Sequence, residues 1–249
     1  MIYKIYRLIN QALKRIGFGV YLVLFPRDFA QDGLITSRAR VFEGDDKFQI
    51  AKKKTIHELG VDFEIDWRTH VFLWCLNSTT YLPGKAVELG TGKAWMFTMA
   101  INHADFSNLH GVRLIDRFSS FAVDKLSGQP IAGTVHDSYS DNPEQIRSRF
   151  FGHTDFEIVQ GELPQVLDGL ILGQIRFLHI DLNAAEPEVA SLRKLWPKLV
   201  PGAIVLLDDF GSPEFSQSRL AITELSKELS FSVLGLPTGQ GLIVKQVEN

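Results

Sequence analysis

The 249-residue chain has a single cysteine, Cys75, set in the apolar run Val71-Phe72-Leu73-Trp74-Cys75-Leu76. One thiol cannot build a disulfide framework, so a reducing compartment, the cytoplasm, is the expected location and Cys75 reads as a small buried hydrophobe. No apolar run approaches the length of a membrane-spanning helix. A basic field is missing too: 26 Lys and Arg against 29 Asp and Glu leave a net charge of −3, which argues against a nucleic-acid partner. Internal repeats and low-complexity tracts are absent. What remains, 45% apolar and 22% charged, is the make-up of an ordinary globular protein. Its length suits one large α/β domain, or a domain with an appendage.

The first residues are amphipathic. Ile2, Ile5, Tyr6, Ile9, Leu13 and Ile16 recur at helical spacing, with Lys4, Arg7, Lys14 and Arg15 between them. No small-residue cleavage site follows, so a signal peptide is not expected here. A helix packed on its own domain or on a partner subunit is expected, within a homo-oligomer. Contact of residues 1–25 with a membrane surface is the competing reading. Residues 1–80 read as a helical extension or lid, with Arg27–Asp46 as a loop and Asp66–Thr79 as a helix. Residues 81–249 read as a second domain.

From residue 86 strands and helices alternate. Strands are expected at Ala86–Leu89, Gly111–Ile115, Phe156–Val159, Ile175–Ile180 and Ala203–Leu207. Helices are expected at Lys93–Asn102, from Asn142 to about Phe150, at Glu162–Leu170, at Pro187–Leu199 and from Ser212 to about Leu229. The pattern predicts a Rossmann-like, doubly wound, mostly parallel seven-stranded α/β sheet. Phe231–Leu234 and Gly241–Lys245 are joined by a short turn and so should pair antiparallel, which makes the last strand antiparallel.

Chemistry concentrates around Lys85-Ala86-Val87-Glu88-Leu89-Gly90-Thr91-Gly92-Lys93. A strand, a glycine turn and a helix N-terminus bring free backbone N–H groups to one point, and a Cβ at either glycine would obstruct a nucleoside-bearing ligand. Carboxylates stand at the ends of neighbouring strands: Glu88, Asp116, Asp181 and the pair Asp208-Asp209. Ligands bind at that edge of an open α/β sheet, and an acid past the second strand suits the hydroxyls of a ribose. A dinucleotide fingerprint wants Gly or Ala where Trp95 stands, and no phosphate-binding loop spacing is present. A ligand with ribose but no pyrophosphate fits better, and S-adenosylmethionine is such a ligand. An NAD-type oxidoreductase is the alternative, as is a non-catalytic domain acting through a partner.

Val87-Glu88-Leu89-Gly90-Thr91-Gly92 resembles motif I of class I S-adenosylmethionine-dependent methyltransferases. Leu178-His179-Ile180-Asp181-Leu182-Asn183, the run Leu195–Ala203 and Leu206-Leu207-Asp208-Asp209-Phe210-Gly211 resemble the macrocin O-methyltransferase family. The resemblance implies cofactor binding by Glu88, Gly90, Thr91, Gly92 and Asp116, with Gln160, Gly161 and Glu162 near the adenine. It also implies a divalent cation, Mg²⁺, at Asp181, Asp208 and Asp209, and three carboxylates do suit a hard cation. The acceptor it implies is a hydroxyl of a sugar or glycosylated metabolite. Catalysis would centre on Asp181, Asn183 and His179, with one departure. Asn183 stands where family members with the fullest catalytic set carry an aspartate base, and an amide cannot take a proton. His179, on the strand face of Asp181, is a candidate base, a hydrogen-bonded core histidine being the competing reading. His136 and Asp137 are further candidates, with loops 27–46 and 131–141 expected to select the acceptor.

Overall fold

A computed structural model of the chain describes residues 29–118 and 142–247. The amphipathic stretch 1–25 and the 131–141 loop with His136 and Asp137 lie outside the described residues. The chain divides into two compact units between Arg40 and Val41.

In the first unit, Asp32 and Gly33 both adopt positive φ, 50° and 72°. That is the turn a two-residue hairpin needs. It joins β1 (Phe29–Gln31) to antiparallel β2 (Leu34–Thr36), with Phe29 opposite Thr36. The Arg40 guanidinium lies 5.9 Å from the centre of the Phe29 ring. The loop expected over Arg27–Asp46 is therefore partly strand. Three-residue strands are too short to show a period, and the Asp-Gly turn is the signal that marks them.

The second unit opens with a 3₁₀ turn at Val41–Gly44 and α1 (Asp46–Leu59), capped by the Asp45 carboxylate accepting from the Lys47 amide at 2.9 Å. Helix α2 (Asp66–Ser78) leads into β3 (Lys85–Leu89), α3 (Trp95–Asn102) and β4 (Val112–Asp116). Then come α4 (Pro143–Arg149), β5 (Phe156–Gln160), β6 (Ile175–Ile180), α5 (Ala185–Leu195) and β7 (Leu199–Leu207). Helix α6 (Ser216–Leu229), β8 (Leu234–Gly235) and β9 (Gly241–Val244) complete the unit. Asn142 and Gln145 form the capping box of α4, with Pro143 at its first turn.

The seven strands lie in the order β5-β4-β3-β6-β7-β9-β8. The first five are parallel, and β9 runs antiparallel to both of its neighbours. This is the doubly wound sheet with an antiparallel last strand that the sequence predicts. Val87, Leu89, Leu178, Ile180, Val205 and Leu207 pack in one apolar core with Leu192 and Leu195 of α5 and Ile222 and Leu225 of α6. The alternate residues face the other way: Phe177 and His179 meet Phe72 of α2 at ring separations of 5.3 and 5.1 Å. Strand order reverses between β3 and β6, which is where an open α/β sheet leaves a crevice.

Two helices differ from expectation. The stretch 162–170 forms only a 3₁₀ turn at Gln165–Gly169, because Pro164 and Gly169 bracket too few residues for a helix to propagate. Helix α5 starts at Ala185 and stops at Leu195, where Pro197 cannot continue it, and β7 starts earlier than the apolar run suggests. Among the described residues no helix is long and apolar enough to cross a membrane.

Candidate active site

The turn after β3 is held from its own side and from β4. Gly90 donates its N–H to the Ile115 carbonyl at 2.9 Å and has φ +83°. A Cβ there would stand 1.8 Å from the Asp181 carbonyl oxygen. Glycine at this position is thus demanded by the approach of the β6 end, a constraint present before any ligand. The Thr91 and Gly92 amides donate to Asp116 Oδ2 at 2.7 and 2.8 Å, and the Phe118 amide donates to Oδ1 at 2.8 Å. One carboxylate therefore organises the turn. Ala94, in the left-handed region at φ 60°, delivers the chain into α3.

Trp95 is buried at the start of α3, donates its indole N–H to Thr69 Oγ1 at 3.0 Å and meets Phe63 edge-on. The tryptophan that breaks the dinucleotide fingerprint is a brace between α2 and α3. Beyond β5, Gly161 donates to the Asp116 carbonyl at 2.9 Å, and its missing Cβ leaves room for Val166. Gln160 Nε2 donates to the Arg117 carbonyl at 3.2 Å, and Glu162 lies 3.9 Å from the Arg117 guanidinium. Gln160 and Glu162 are exposed beside Asp116.

The remaining acids converge. Carboxylate oxygens of Asp181, Asp208 and Asp209 all lie within 4.8 Å of one another. A single nitrogen, Arg68 Nη1, donates to Asp208 Oδ2 at 2.7 Å, to Asp209 Oδ1 at 2.9 Å and to the Asp208 carbonyl at 3.1 Å. Gln240 Nε2 donates to Asp208 Oδ1 at 2.9 Å, its amide oriented by the Thr238 hydroxyl, which donates to Oε1 at 3.0 Å. Asn183 has φ +56°, a conformation asparagine tolerates better than most residues, and its Nδ2 donates to Asp181 Oδ1 at 3.3 Å.

His179 joins the acid cluster to the glycine turn. Its Nδ1 lies 2.9 Å from Glu88 Oε1, its Nε2 lies 3.5 Å from Asp208 Oδ1, and the ring is 1% exposed. The other Glu88 oxygen and the Thr91 hydroxyl are buried side by side, and the hydroxyl helps to hold the Glu88 charge. A buried carboxylate and a buried hydroxyl beside the glycine turn suit the polar end of an amino-acid-bearing ligand.

Burial and paired charge set the protonation pattern. Burial opposes charge on His179, but Asp208 and Glu88 outweigh it and raise the imidazolium to about 10. Glu88 is pushed up by burial against the pull of His179. Asp181 is driven well above the carboxylate range by burial, then by Asp208 and Asp209. Burial would raise Asp208 too, yet His179, Arg68 and Gln240 hold it far below that range, while burial and Asp208 raise Asp209. Three acids this close, of which Arg68 touches two, form an electron-rich oxygen site, and such a donor set suits a hard divalent cation.

Sequence reasoning passed over Arg68 and Gln240. Arg68, Phe72 and Cys75 share a helical stripe at spacings of four and three, and Phe72 and Cys75 are fully buried. An arginine on a buried stripe implies a carboxylate partner, and that signal was available. Gln240 sits in a turn with no such mark.

The comparisons with known proteins agree with this geometry. A family model described as a methyltransferase domain matches residues 87–210, the span from β3 to the residue after the acid pair. Residues 87–210 are a methyltransferase domain, and the sheet around them has the methyltransferase fold. This sets aside the nicotinamide alternative. Among solved structures, the O-methyltransferase NovP is similar at 16% identity and a TM-score of 0.62, over 72% of this chain and 80% of NovP. CalS11, a TDP-rhamnose 3′-O-methyltransferase of calicheamicin biosynthesis, is similar at 17% identity and a TM-score of 0.54, over 84% of this chain and 96% of CalS11. Cofactor-bound Rv0187 from MTB is similar at 14% identity and a TM-score of 0.51, over 82% of this chain and 92% of Rv0187. At such identities the likeness is one of fold. No curated protein matches the chain in sequence.

Proposed function

We propose that this methyltransferase acts on oxygen, transferring a methyl group to a hydroxyl of a sugar or glycosylated metabolite with a divalent cation, Mg²⁺, held by Asp181, Asp208 and Asp209. The observation that carries the reading is the convergence of three carboxylates from β6 and β7 beside the glycine turn. NovP and CalS11, both described as O-methyltransferases and one as acting on TDP-rhamnose, favour a sugar hydroxyl as acceptor.

S-adenosylmethionine supplies an electrophilic methyl carbon: the acceptor O–C bond forms as the C–S bond breaks, S-adenosylhomocysteine leaves, and the hydroxyl proton passes to solvent water. A cation at the acids would chelate neighbouring substrate hydroxyls and make one easier to deprotonate. The rest falls to the chain. Asp116 fixes the Thr91 and Gly92 amides and offers its carboxylate to the ribose. Glu88 receives the amino-acid end through the oxygen that His179 does not use. Gln160, Gly161 and Glu162 flank the adenine. Asn183 steadies Asp181 and takes no proton, and His179, enclosed between two carboxylates, positions Asp208. Holding the acceptor in line is the main contribution, worth up to about 7–11 kcal/mol at ideal alignment.

The test is a methyl-transfer assay over a panel of nucleotide sugars, with cofactor binding followed by calorimetry. Chelation and Asp208→Asn should each abolish turnover while S-adenosylmethionine still binds. Undiminished turnover in EDTA would refute the cation assignment, and no methylated product from any hydroxyl acceptor would refute the reaction.

A further inference from the structure

We propose that Arg68 is a built-in competitor for the cation, so that its guanidinium and a divalent ion occupy the Asp208-Asp209 pair alternately. The inference rests on the reading of Asp181, Asp208 and Asp209 as a cation site, and it adds a residue from α2 that no motif includes. Arg68 Nη1 meets three oxygens within 3.1 Å, two from different carboxylates and one from the backbone. That is how a bound cation gathers ligands, and here the positive charge belongs to the chain itself. Asp208 has little else to offer, because its Oδ1 already accepts from Gln240 and faces His179. Its Oδ2 and Asp209 Oδ1, the oxygens most useful to a metal, are the ones Arg68 holds.

The backbone of Arg68 is fixed on both sides. Thr69, next in sequence, is tied to the Trp95 indole at 3.0 Å, and Asp66 is tied to Lys52 at 2.6 Å. Between these anchors the four torsions of the arginine side chain let the guanidinium leave the acids without moving α2. A divalent ion that takes Asp208 Oδ2 and Asp209 Oδ1 meets the guanidinium on the same two oxygens, where like charge and crowding drive the arginine away. In the free protein Arg68 offsets the mutual repulsion of the acids.

The experiment measures Mn²⁺ binding to the full chain by electron paramagnetic resonance, comparing wild type with Arg68→Met and Asp208→Asn. Arg68→Met should bind Mn²⁺ about tenfold tighter or more than wild type, the scale of a direct coupling between two ligands of one site. Asp208→Asn should lose saturable binding. The advantage of Arg68→Met should persist at about 1 M KCl, where the screening length is only about 3 Å, because competition for the same oxygens is not screened. Should Arg68→Met fail to fold, Arg68→Gln, which keeps a donor but not the charge, takes its place with the same expectation. Equal or weaker binding by the charge-free variants, or an advantage that vanishes at high salt, overturns the competitor role while a binding loss in Asp208→Asn keeps the cation site. Absence of saturable binding in every protein, or undiminished binding in Asp208→Asn, overturns the cation site and the competitor role together.

Discussion

Gly90→Ala separates two reasons for the same glycine. If Gly90 serves ligand approach alone, alanine weakens cofactor binding and leaves the unliganded fold intact. The structure assigns a different cause. An alanine Cβ would stand 1.8 Å from the Asp181 carbonyl oxygen and 2.7 Å from its carbon, whereas real Cβ contacts essentially never fall below 3.0 Å. The ends of β3 and β6 would have to part by more than 1 Å, against the bond from the Asp181 amide to the Leu89 carbonyl at 2.8 Å. Alanine at φ +83° adds left-handed strain of about 1–2 kcal/mol. Overpacking against backbone adds about 1–3 kcal/mol. A loss of about 2–5 kcal/mol is a large share of the roughly 5–15 kcal/mol that holds a domain together, and lowers Tm by about 10 °C. Urea unfolding of the cofactor-free protein measures it. A variant within about 0.5 kcal/mol of wild type, the usual range of a harmless surface change, would refute the packing account and return Gly90 to the ligand.

Trp95→Phe removes the indole donor to Thr69 and some buried volume, and should cost about 1–3 kcal/mol in urea unfolding. Asp116→Ala leaves the Thr91 and Gly92 amides without their charged acceptor. It should weaken S-adenosylmethionine about tenfold to a hundredfold by calorimetry, with Asp116→Asn between the two because an amide oxygen still accepts. Burial raises the Cys75 thiol from 9.0 to about 12. The unfolded thiol therefore ionises first as pH rises, so its contribution is whole below pH 9 and lost progressively towards pH 12. The stability advantage of wild type over Cys75→Ala should shrink by about 1 kcal/mol between pH 8 and 10, and native thiol labelling should stay slow over that range.

Much of the sheet is legible because its strands are buried on both faces and read as continuous apolar runs ending in acids. Val112–Asp116, Ile175–Ile180 and the C-terminal half of Leu199–Leu207 are such runs. The elements that escape are short or depend on distant partners. The Phe29–Thr36 hairpin offers three residues a side, below the length at which alternation means anything. The Glu162–Leu170 stretch has helical composition, but Pro164 and Gly169 leave one turn. Site residues divide the same way. Acids at strand ends announce themselves by position, whereas Arg68 and Gln240 acquire meaning only through Asp208, which lies 140 and 32 residues away in sequence. Thr69 in turn is explained by Trp95, 26 residues on.

Helix α2 draws these long-range links together. Arg68 reaches the acid pair, Thr69 holds the tryptophan that opens α3 below the glycine turn, and Phe72 lies edge-on to His179. His179 in turn spans Glu88 and Asp208, so the cofactor end and the acid end of the crevice share one buried imidazolium. A displacement of α2 would therefore be felt at both ends at once. The chemistry of this crevice thus depends on a helix that ends before the first strand of the sheet, at positions whose side chains carry no recognisable motif. Such residues are set by the need to balance buried charge: Glu88, Asp181, Asp208 and Asp209 outnumber the one imidazolium that His179 supplies from the sheet, and α2 is the packed element shown to deliver a second cation.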